Sequence, residues 1–277
     1  FSAISCVEAD PVEPIEQGEP PVCQGHVDHC DRPYDQVSVA CTHNAMSSVQ
    51  DNFLGANQNY SFTRQLDDGV RCLMLDTHDW EGEAQLCHGI CLAGQRLLVD
   101  GFAEIATWLQ GHPTEVVTFI LEAKISEAET QAALDASGLW PFVYLHDAPP
   151  GTPWPTYGEL LERGERLVVF TDDGAANNTW HLDWRAYAWE TPFNDASFGC
   201  GPGRGDPTRS EHQPFILNHY ALCGALACEE NAATYNAFEV ALQRATECGE
   251  PHESWNPWGH IPTFLNVDFY DVPATGG

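Results

Sequence analysis

The sequence predicts an α/β protein folded as a (β/α)8 barrel of the TIM type. Three observations predict it. Short apolar runs alternate with segments of helical spacing, the pattern of βα units around a parallel sheet. Eight such runs occur between residues 37 and 270. Polar side chains gather at the C-terminal ends of several of them, which is where barrels of this kind carry their chemistry. The length of 277 residues suits one barrel domain, and 43% hydrophobic with 19% charged residues suits a globular chain with a sizeable core.

Taken in order, residues 1–35 hold Pro11, Pro14, Pro20, Pro21 and Pro33 with several acids and no apolar period. They read as an extended acidic leader, pinned by Cys23 and Cys30, with 36–277 as a single catalytic barrel domain. Residues 37–42 form the first strand. Residues 61–68 have helical spacing and stop at Gly69. Residues 70–78 are the second strand, whose period of two puts Met74, Asp76 and His78 on one face and Leu73 and Leu75 on the other. Residues 99–110 are helical, 115–121 a third strand, and 126–136 a helix opened by the capping box Ser126/Glu129. A fourth strand is expected at 142–146, a helix at 157–163 and a fifth strand at 166–171. The sixth and seventh strands fall at 186–191 and 215–220. Residues 229–248 are the longest helical segment, and 263–270 the closing strand. Segments 172–185 and 192–213 read as loops at the barrel mouth.

Forty-one acidic against eleven basic side chains give a net charge of −30. Such a surface repels phosphate backbones and excludes nucleic acid as a partner. It also suits anionic membranes poorly, since basic patches supply that attraction. A phospholipid substrate, met at a membrane surface in transient contact, would need an apolar or cationic mouth, or a metal. No apolar run reaches the roughly 18 residues of a membrane span. Eleven cysteines without a CxxC pair read as a disulfide framework, which places the protein as secreted or extracytoplasmic. Cys23–Cys30, Cys87–Cys91 and Cys223–Cys228 are close enough in sequence to be bridges, although spacing leaves the connectivity open. Cys6 after Ala3-Ile4-Ser5 weakly echoes a lipoprotein anchor, and Asn59 and Asn177 begin glycosylation sequons.

Each end of the stretch 37–88 is an apolar run leading into a histidine: Cys41-Thr42-His43-Asn44 and Cys87-His88-Gly89. Two histidines at neighbouring strand ends can act as base and acid on one substrate. No nucleophile elbow, Gly-rich phosphate loop or Walker motif is present, which leaves acyl transfer and nucleotide hydrolysis unsupported. Asn44, Asp76 and Glu122 offer the oxygen donors Ca²⁺ prefers. A histidine pair beside a hard-metal site points to phosphodiester cleavage.

Thr42-His43-Asn44, residues 69–76, Cys87-His88-Gly89 and residues 115–122 together resemble the catalytic X region of phosphatidylinositol-specific phospholipases C, within the superfamily of phospholipase C-like phosphodiesterases. Order and spacing agree, with 45 residues from His43 to His88. Residues 154–161 ahead of the strand at 167–170, and the closing 264–270, are similar to small secreted members. The resemblance covers residues 36–271 and implies a distorted barrel. It implies that His43 deprotonates an inositol hydroxyl and that His88 protonates the leaving diacylglycerol oxygen, through a cyclic phosphodiester. Asp268 would orient His43. Asn44 would hold phosphate or metal, and Asn44, Asp76 and Glu122 would form the calcium site. Met74 departs from the pattern, since it stands where relatives carry a further carboxylate and offers no hard donor.

Arg71 and His78 join Asn44 as candidate substrate-binding residues, although Arg71 reads better as a buried ion pair that supports the barrel and His78 as a structural residue. Glu122 could simply pair with Lys124. The aromatics at 180, 184, 187, 189, 255 and 258 fit either a lipid-facing mouth or core packing. The expected protein is thus a monomeric, secreted phospholipase C-like phosphodiesterase acting on phosphatidylinositol-type lipids. The alternatives are another glycerophospho- or sphingophospho-diester as substrate, or an inactive barrel serving as a binding module.

Overall fold

The structure, a computed structural model, describes residues 21–172, 179–193, 199–224 and 226–273. Most of the leader, Cys6, the sequon residue Asn177 and parts of both expected mouth loops lie outside the described residues. The strands are β1 (Val39–Thr42), β2 (Val70–Trp80), β3 (Glu83–Leu86), β4 (Arg96–Leu97), β5 (Val117–Ala123), β6 (Leu167–Thr171), β7 (His181–Asp183), β8 (Trp189–Glu190), β9 (Arg204–Gly205), β10 (Phe215–Asn218) and β11 (Phe264–Val267). The helices are α1 (Phe62–Asp67), α2 (Leu98–Gly111), α3 (Glu127–Ser137), α4 (Tyr157–Arg163), α5 (Trp184–Tyr187), α6 (Glu229–Tyr235) and α7 (Phe238–Gly249).

Eight strands run parallel in the order β7-β6-β5-β2-β1-β11-β10-β8. This is a distorted TIM-type barrel. Its seam lies between β7 and β8, where the short α5 connects two strands that share no ladder among the described residues. β3 pairs antiparallel with the protruding end of β2, and β9 with β8.

Side-chain alternation divides each strand between two cores. Leu73, Leu75, Phe119, Leu121 and Val169 pack outward with Phe102, Ile105 and Leu109 of α2 and with Leu134 of α3. Cys72, Ile120, Val168, Phe170, Ile216 and Phe264 fill the barrel interior. Tyr34, Trp154 and Tyr157 belong to that inner core, with Tyr34 hydrogen-bonded through its hydroxyl to Thr118 Oγ1 (2.6 Å). The tail end of the leader is therefore an ordered part of the barrel. Its Gln24 side chain bonds both backbone groups of Val116, and Cys23–Cys30 closes it.

Two expectations are corrected, and a reading left open is decided for most of its residues. Residues 142–146 are not a barrel strand: Val143 makes only an isolated bridge to Leu167, while the edge of β6 is taken by β7, inside a stretch expected to be loop. The expected long helix at 229–248 breaks at Asn236, whose side-chain amide donates to the carbonyls of Asp268 and Phe269 (2.9 Å each). That tie anchors the end of β11, which no helical periodicity encodes. The aromatics at 180, 184, 187 and 189 are at most 5% exposed and pack in the core, with Trp184 also on a cavity wall; Trp258 is exposed.

All three short bridges form, and Cys41–Cys72 and Cys200–Cys248 complete five disulfides. Cys41 and Cys72 are register partners on β1 and β2. Among the described residues no helix is long and apolar enough to cross a membrane.

Candidate active site

The pairing register of the sheet builds the site. Thr42 of β1 lies opposite Val267 of β11, so the next residue on each strand, His43 and Asp268, meet at the C-terminal end of the barrel. His43 Nδ1 is 2.9 Å from Asp268 Oδ1. The same carboxylate oxygen accepts from Asn57 Nδ2 (2.9 Å), and Gln58 Nε2 donates to the His43 carbonyl (2.8 Å). A carboxylate on Nδ1–H fixes the imidazole tautomer, leaving the Nε2 lone pair to face the cavity. The Tyr220 ring stacks on His43 with centroids 4.1 Å apart.

The second histidine arrives by a hairpin. β3 folds back on β2 with Thr77 opposite Leu86, and the Cys87 amide donates to the Asp76 carbonyl (3.3 Å). His88 is thereby set beside Asp76, with His88 Nδ1 2.9 Å from Asp76 Oδ2. This hydrogen bond raises the His88 pKa above its ordinary value, against the opposing effect of burial. His88 therefore favours the protonated state of an acid.

Asn44 lies between the two imidazoles. Its φ of 47° is the left-handed conformation that asparagine tolerates better than most residues. Its amide nitrogen is 3.2 Å from His43 Nε2 and 3.5 Å from His88 Nε2. Both reactive nitrogens thus converge on one point in a cavity of about 260 Å³. Met74, Asp76, Glu122, Asp172, Glu190 and Arg204 contribute further to its wall.

His43, Asn44, Asp76, His88 and Glu122 all line this cavity, and Asp268 stands directly behind His43. Arg71 and His78 do not. Arg71 sits at the opposite end of β2, where Nε donates to Glu115 (2.7 Å), Nη1 donates to the carbonyls of Leu66 and Val70, and the guanidinium lies over Trp108. It is structural. His78 has left the barrel on the protruding part of β2, paired with Gln85. Its ring lies near Cys87 and Cys91, which are disulfide-bonded.

Sequence reasoning missed Asn57, Gln58, Tyr220, Glu190 and Arg204. None lies at the end of a strand read correctly from its apolar pattern, apart from Tyr220, two residues beyond β10. Arg204 is the one Lys or Arg lining the cavity among the described residues, bonded to the buried Glu190 and 3.3 Å from Asp172.

The donor set offers a hard divalent cation few free oxygens: Asp76 Oδ2 is engaged by His88, and Asn44 turns its amide nitrogen, not its oxygen, toward the two imidazoles. Glu122, the register partner of Asp76, pairs with Lys124 at 2.9 Å. Burial alone would raise the Glu122 carboxyl, but the bond from Lys124 outweighs it and holds the pKa below the ordinary value. Met74 adds only a thioether.

Two histidines, each backed by a carboxylate, stand at the mouth of a distorted barrel, and comparison with known proteins gives the family. The PI-PLC X family matches residues 29–275, and the chain belongs to it. It is 33% identical over 209 residues to the PI-PLC X domain-containing protein 1 of Arthroderma benhamiae, across 72% of this chain and 68% of that one. An uncharacterized secreted protein of the same fungus is 27% identical over 92% of this chain and 61% of its own length. A PI-PLC X domain-containing protein of Arabidopsis thaliana is 29% identical over 88% and 60%. The chain thus spans about 60–68% of these relatives. A structure of the phosphatidylinositol-specific phospholipase C of Staphylococcus aureus superposes with a TM-score of 0.58 at 14% identity, over 87% of this chain and 88% of that one. A mutant of that enzyme gives 0.56 at 12%, over 87% of each chain. At such identities the likeness is one of fold.

Proposed function

We propose that the protein is a secreted, monomeric phosphodiesterase that cleaves phosphatidylinositol-type lipids by histidine acid–base catalysis. The observation that carries this reading is the pair of carboxylate-backed imidazoles, Asp268–His43 and Asp76–His88, with both Nε2 atoms turned toward Asn44. His43 Nε2 takes the proton from the inositol hydroxyl next to the phosphate, and that oxygen attacks phosphorus. The bond to the diacylglycerol oxygen breaks, and the protonated His88 supplies its proton. A cyclic phosphodiester results, and water can open it with the two roles reversed. Asn44 donates to a phosphate oxygen between the imidazoles. Five disulfides and a relative named as secreted support an extracellular setting.

Calcium is not assigned a step, because one oxygen each of Asp76 and Glu122 is engaged by His88 and Lys124 and Met74 adds only a thioether. Phosphorus NMR of the protein with phosphatidylinositol micelles tests both points. A cyclic phosphate signal of equal rate in calcium and in chelator is expected, and its loss in His43→Ala and His88→Ala. A signal that needs calcium would restore the Asn44–Asp76–Glu122 metal site.

A second substrate reading rests on one observation. Asp76, Glu122, Asp172 and Glu190 line the cavity against the single guanidinium of Arg204. That excess of carboxylates favours a diester with a cationic headgroup, such as a sphingophospholipid whose own hydroxyl attacks phosphorus. Turnover of sphingomyelin in place of phosphatidylinositol would select it.

A further inference from the structure

The segments that lead into β1, β10 and β11 meet at the base of the barrel, the end opposite the histidine pair. Thr263 ties them together, donating through Oγ1 to the Asp35 carbonyl (3.1 Å) and accepting from the Phe215 amide (3.2 Å). Beside this junction lies a cavity of about 280 Å³, whose wall includes Arg32, Asp35, Glu211, His212, Trp258 and His260. None of these six residues lines the cavity that holds His43 and His88.

Two buried acceptors in this wall have no hydrogen-bond partner. Asp35, 5% exposed, leaves Oδ1 unpaired, and His260, 7% exposed, leaves Nδ1 unpaired. His260 Nε2 lies 2.8 Å from the Ser210 carbonyl, which can only accept. Nε2 therefore carries the proton, and burial, which lowers the His260 pKa, keeps Nδ1 as a lone pair. Burial pushes the Asp35 pKa up to about 6, so at neutral pH its carboxylate is an anion without a partner, an unfavourable state. The charge that opposes this rise is that of His212; the exposed Arg32 exerts no such effect. The wall is also rigid. The Asn256 amide nitrogen lies among the carbonyls of Cys248, Gly249, Glu250 and His260 (3.2–3.4 Å), and its Oδ1 accepts from the His260 amide (2.8 Å). The turn that carries Trp258 and His260 is thereby fixed, with Trp258 left 52% exposed.

We propose that this cavity is a binding site for a small planar organic cation, an amidinium or guanidinium, whose N–H groups bridge Asp35 and His260. Two unpaired acceptors, one of them a carboxylate, call for a cationic donor. A single metal ion does not meet that need. Among the described residues only His78, Cys87 and Cys91 bring three such ligand atoms within 4.8 Å of one another, so no three of Asp35, Glu211, His212 and His260 are close enough to share an ion. A fork of N–H groups on a rigid frame reaches separated acceptors. The Trp258 indole supplies the aromatic surface that attracts such a cation, and Glu211 a second carboxylate.

The probe is benzamidine, titrated into the full chain at neutral pH by isothermal titration calorimetry. Saturable binding at one site is expected, weakened roughly tenfold or more by Asp35→Asn and several-fold by Trp258→Ala. Asp35→Asn removes a buried charge, so the variant stays folded, and its thermal unfolding checks this. Tetramethylammonium carries the same charge without an N–H group and is expected to show only the weak, unsaturable attraction that a net charge of −30 exerts on any cation. Equal binding of the two cations, equal binding by wild type and Asp35→Asn, or no binding by wild type would overturn the proposal. A loss caused by Asp76→Asn in place of Asp35→Asn would put the cation in the catalytic cavity and do the same. Binding that appears only in Arg32→Gln would also overturn it, since Arg32 would then be the cation that pairs with these acceptors.

Discussion

At the scale of single residues, the two carboxylates behind the histidines have separable roles. Asp268 is nearly fully buried, and its Oδ1 gathers both His43 Nδ1 and the Asn57 amide. Asp268→Asn keeps the shape but presents an amide to Nδ1, favouring the tautomer that blocks Nε2 as a base. A loss in kcat on the order of 10³ is expected, with KM little changed, in steady-state kinetics. Asp76 acts on the other arm of the pH profile. Its hydrogen bond raises the pKa of His88, so under the proposed mechanism activity is expected to extend above the ordinary histidine value and to fall when His88 loses its proton. Asp76→Asn removes that support. The alkaline limb of the kcat profile is expected to move to lower pH. An unmoved limb would mean that Asp76 serves something other than His88, such as a metal.

At the scale of elements, legibility followed how local the controlling physics is. Strands β1, β2, β5, β6, β10 and β11 announce themselves because each is buried on both sides over most of its length and therefore carries a largely apolar run. The capping box at Ser126 and Glu129 is a local motif, and it forms. The short β7 and β8 are barely strands at all and depend on neighbours supplied by distant sequence. The break at Asn236 and the plug around Tyr34 have the same origin. In the site, His43 and His88 were legible because each follows a strand within a short motif. Asn57 and Gln58 were not, since they reach the site from a loop without period, nor was Arg204, on the two-residue β9 inside a stretch expected to be loop. Arg71 was legible as a residue but not as to place, because strand direction puts it at the closed end. There it bridges the end of α1, the start of β2 and the approach to β5, with its side chain 15% exposed and that of Glu115 10%. Arg71→Met leaves Glu115 as an uncompensated buried charge, which costs roughly 3–5 kcal/mol. Urea denaturation is expected to show that loss, with KM unaltered.

At the scale of the whole molecule, stability is a balance between carboxylates that folding favours as anions and those it does not. Glu104 belongs to the first kind. Burial raises its pKa, but bonds from Thr63 and Arg96 outweigh that and hold it below the ordinary value. Its contribution is present at neutral pH and lost as pH falls through its folded pKa. Asp35 is of the second kind. It is 5% exposed at the base of the barrel, its Oδ1 has no hydrogen-bond partner, and burial pushes its pKa from 3.8 up to about 6. The folded state therefore binds the Asp35 proton more tightly than the unfolded state does. Stability from this group is full below the unfolded pKa and is lost as pH rises through about 6. The loss is on the order of 3 kcal/mol at neutral pH. A net charge of −30 acts in the same direction, since self-repulsion grows as the remaining carboxyls ionise. Maximal stability is thus expected on the acid side of neutrality, above the range where Glu104 is protonated and below the folded pKa of Asp35. Thermal unfolding followed across pH 4 to pH 8 should place the highest Tm near pH 5. Added salt should raise Tm more at the alkaline end than at the maximum, because it screens only the repulsive component. Asp35→Asn should raise Tm at neutral pH and leave it nearly unchanged near pH 4, where the wild-type carboxyl is already protonated in the fold. A variant that gains equally at both ends of the range would show that packing, and not the buried charge, sets the effect.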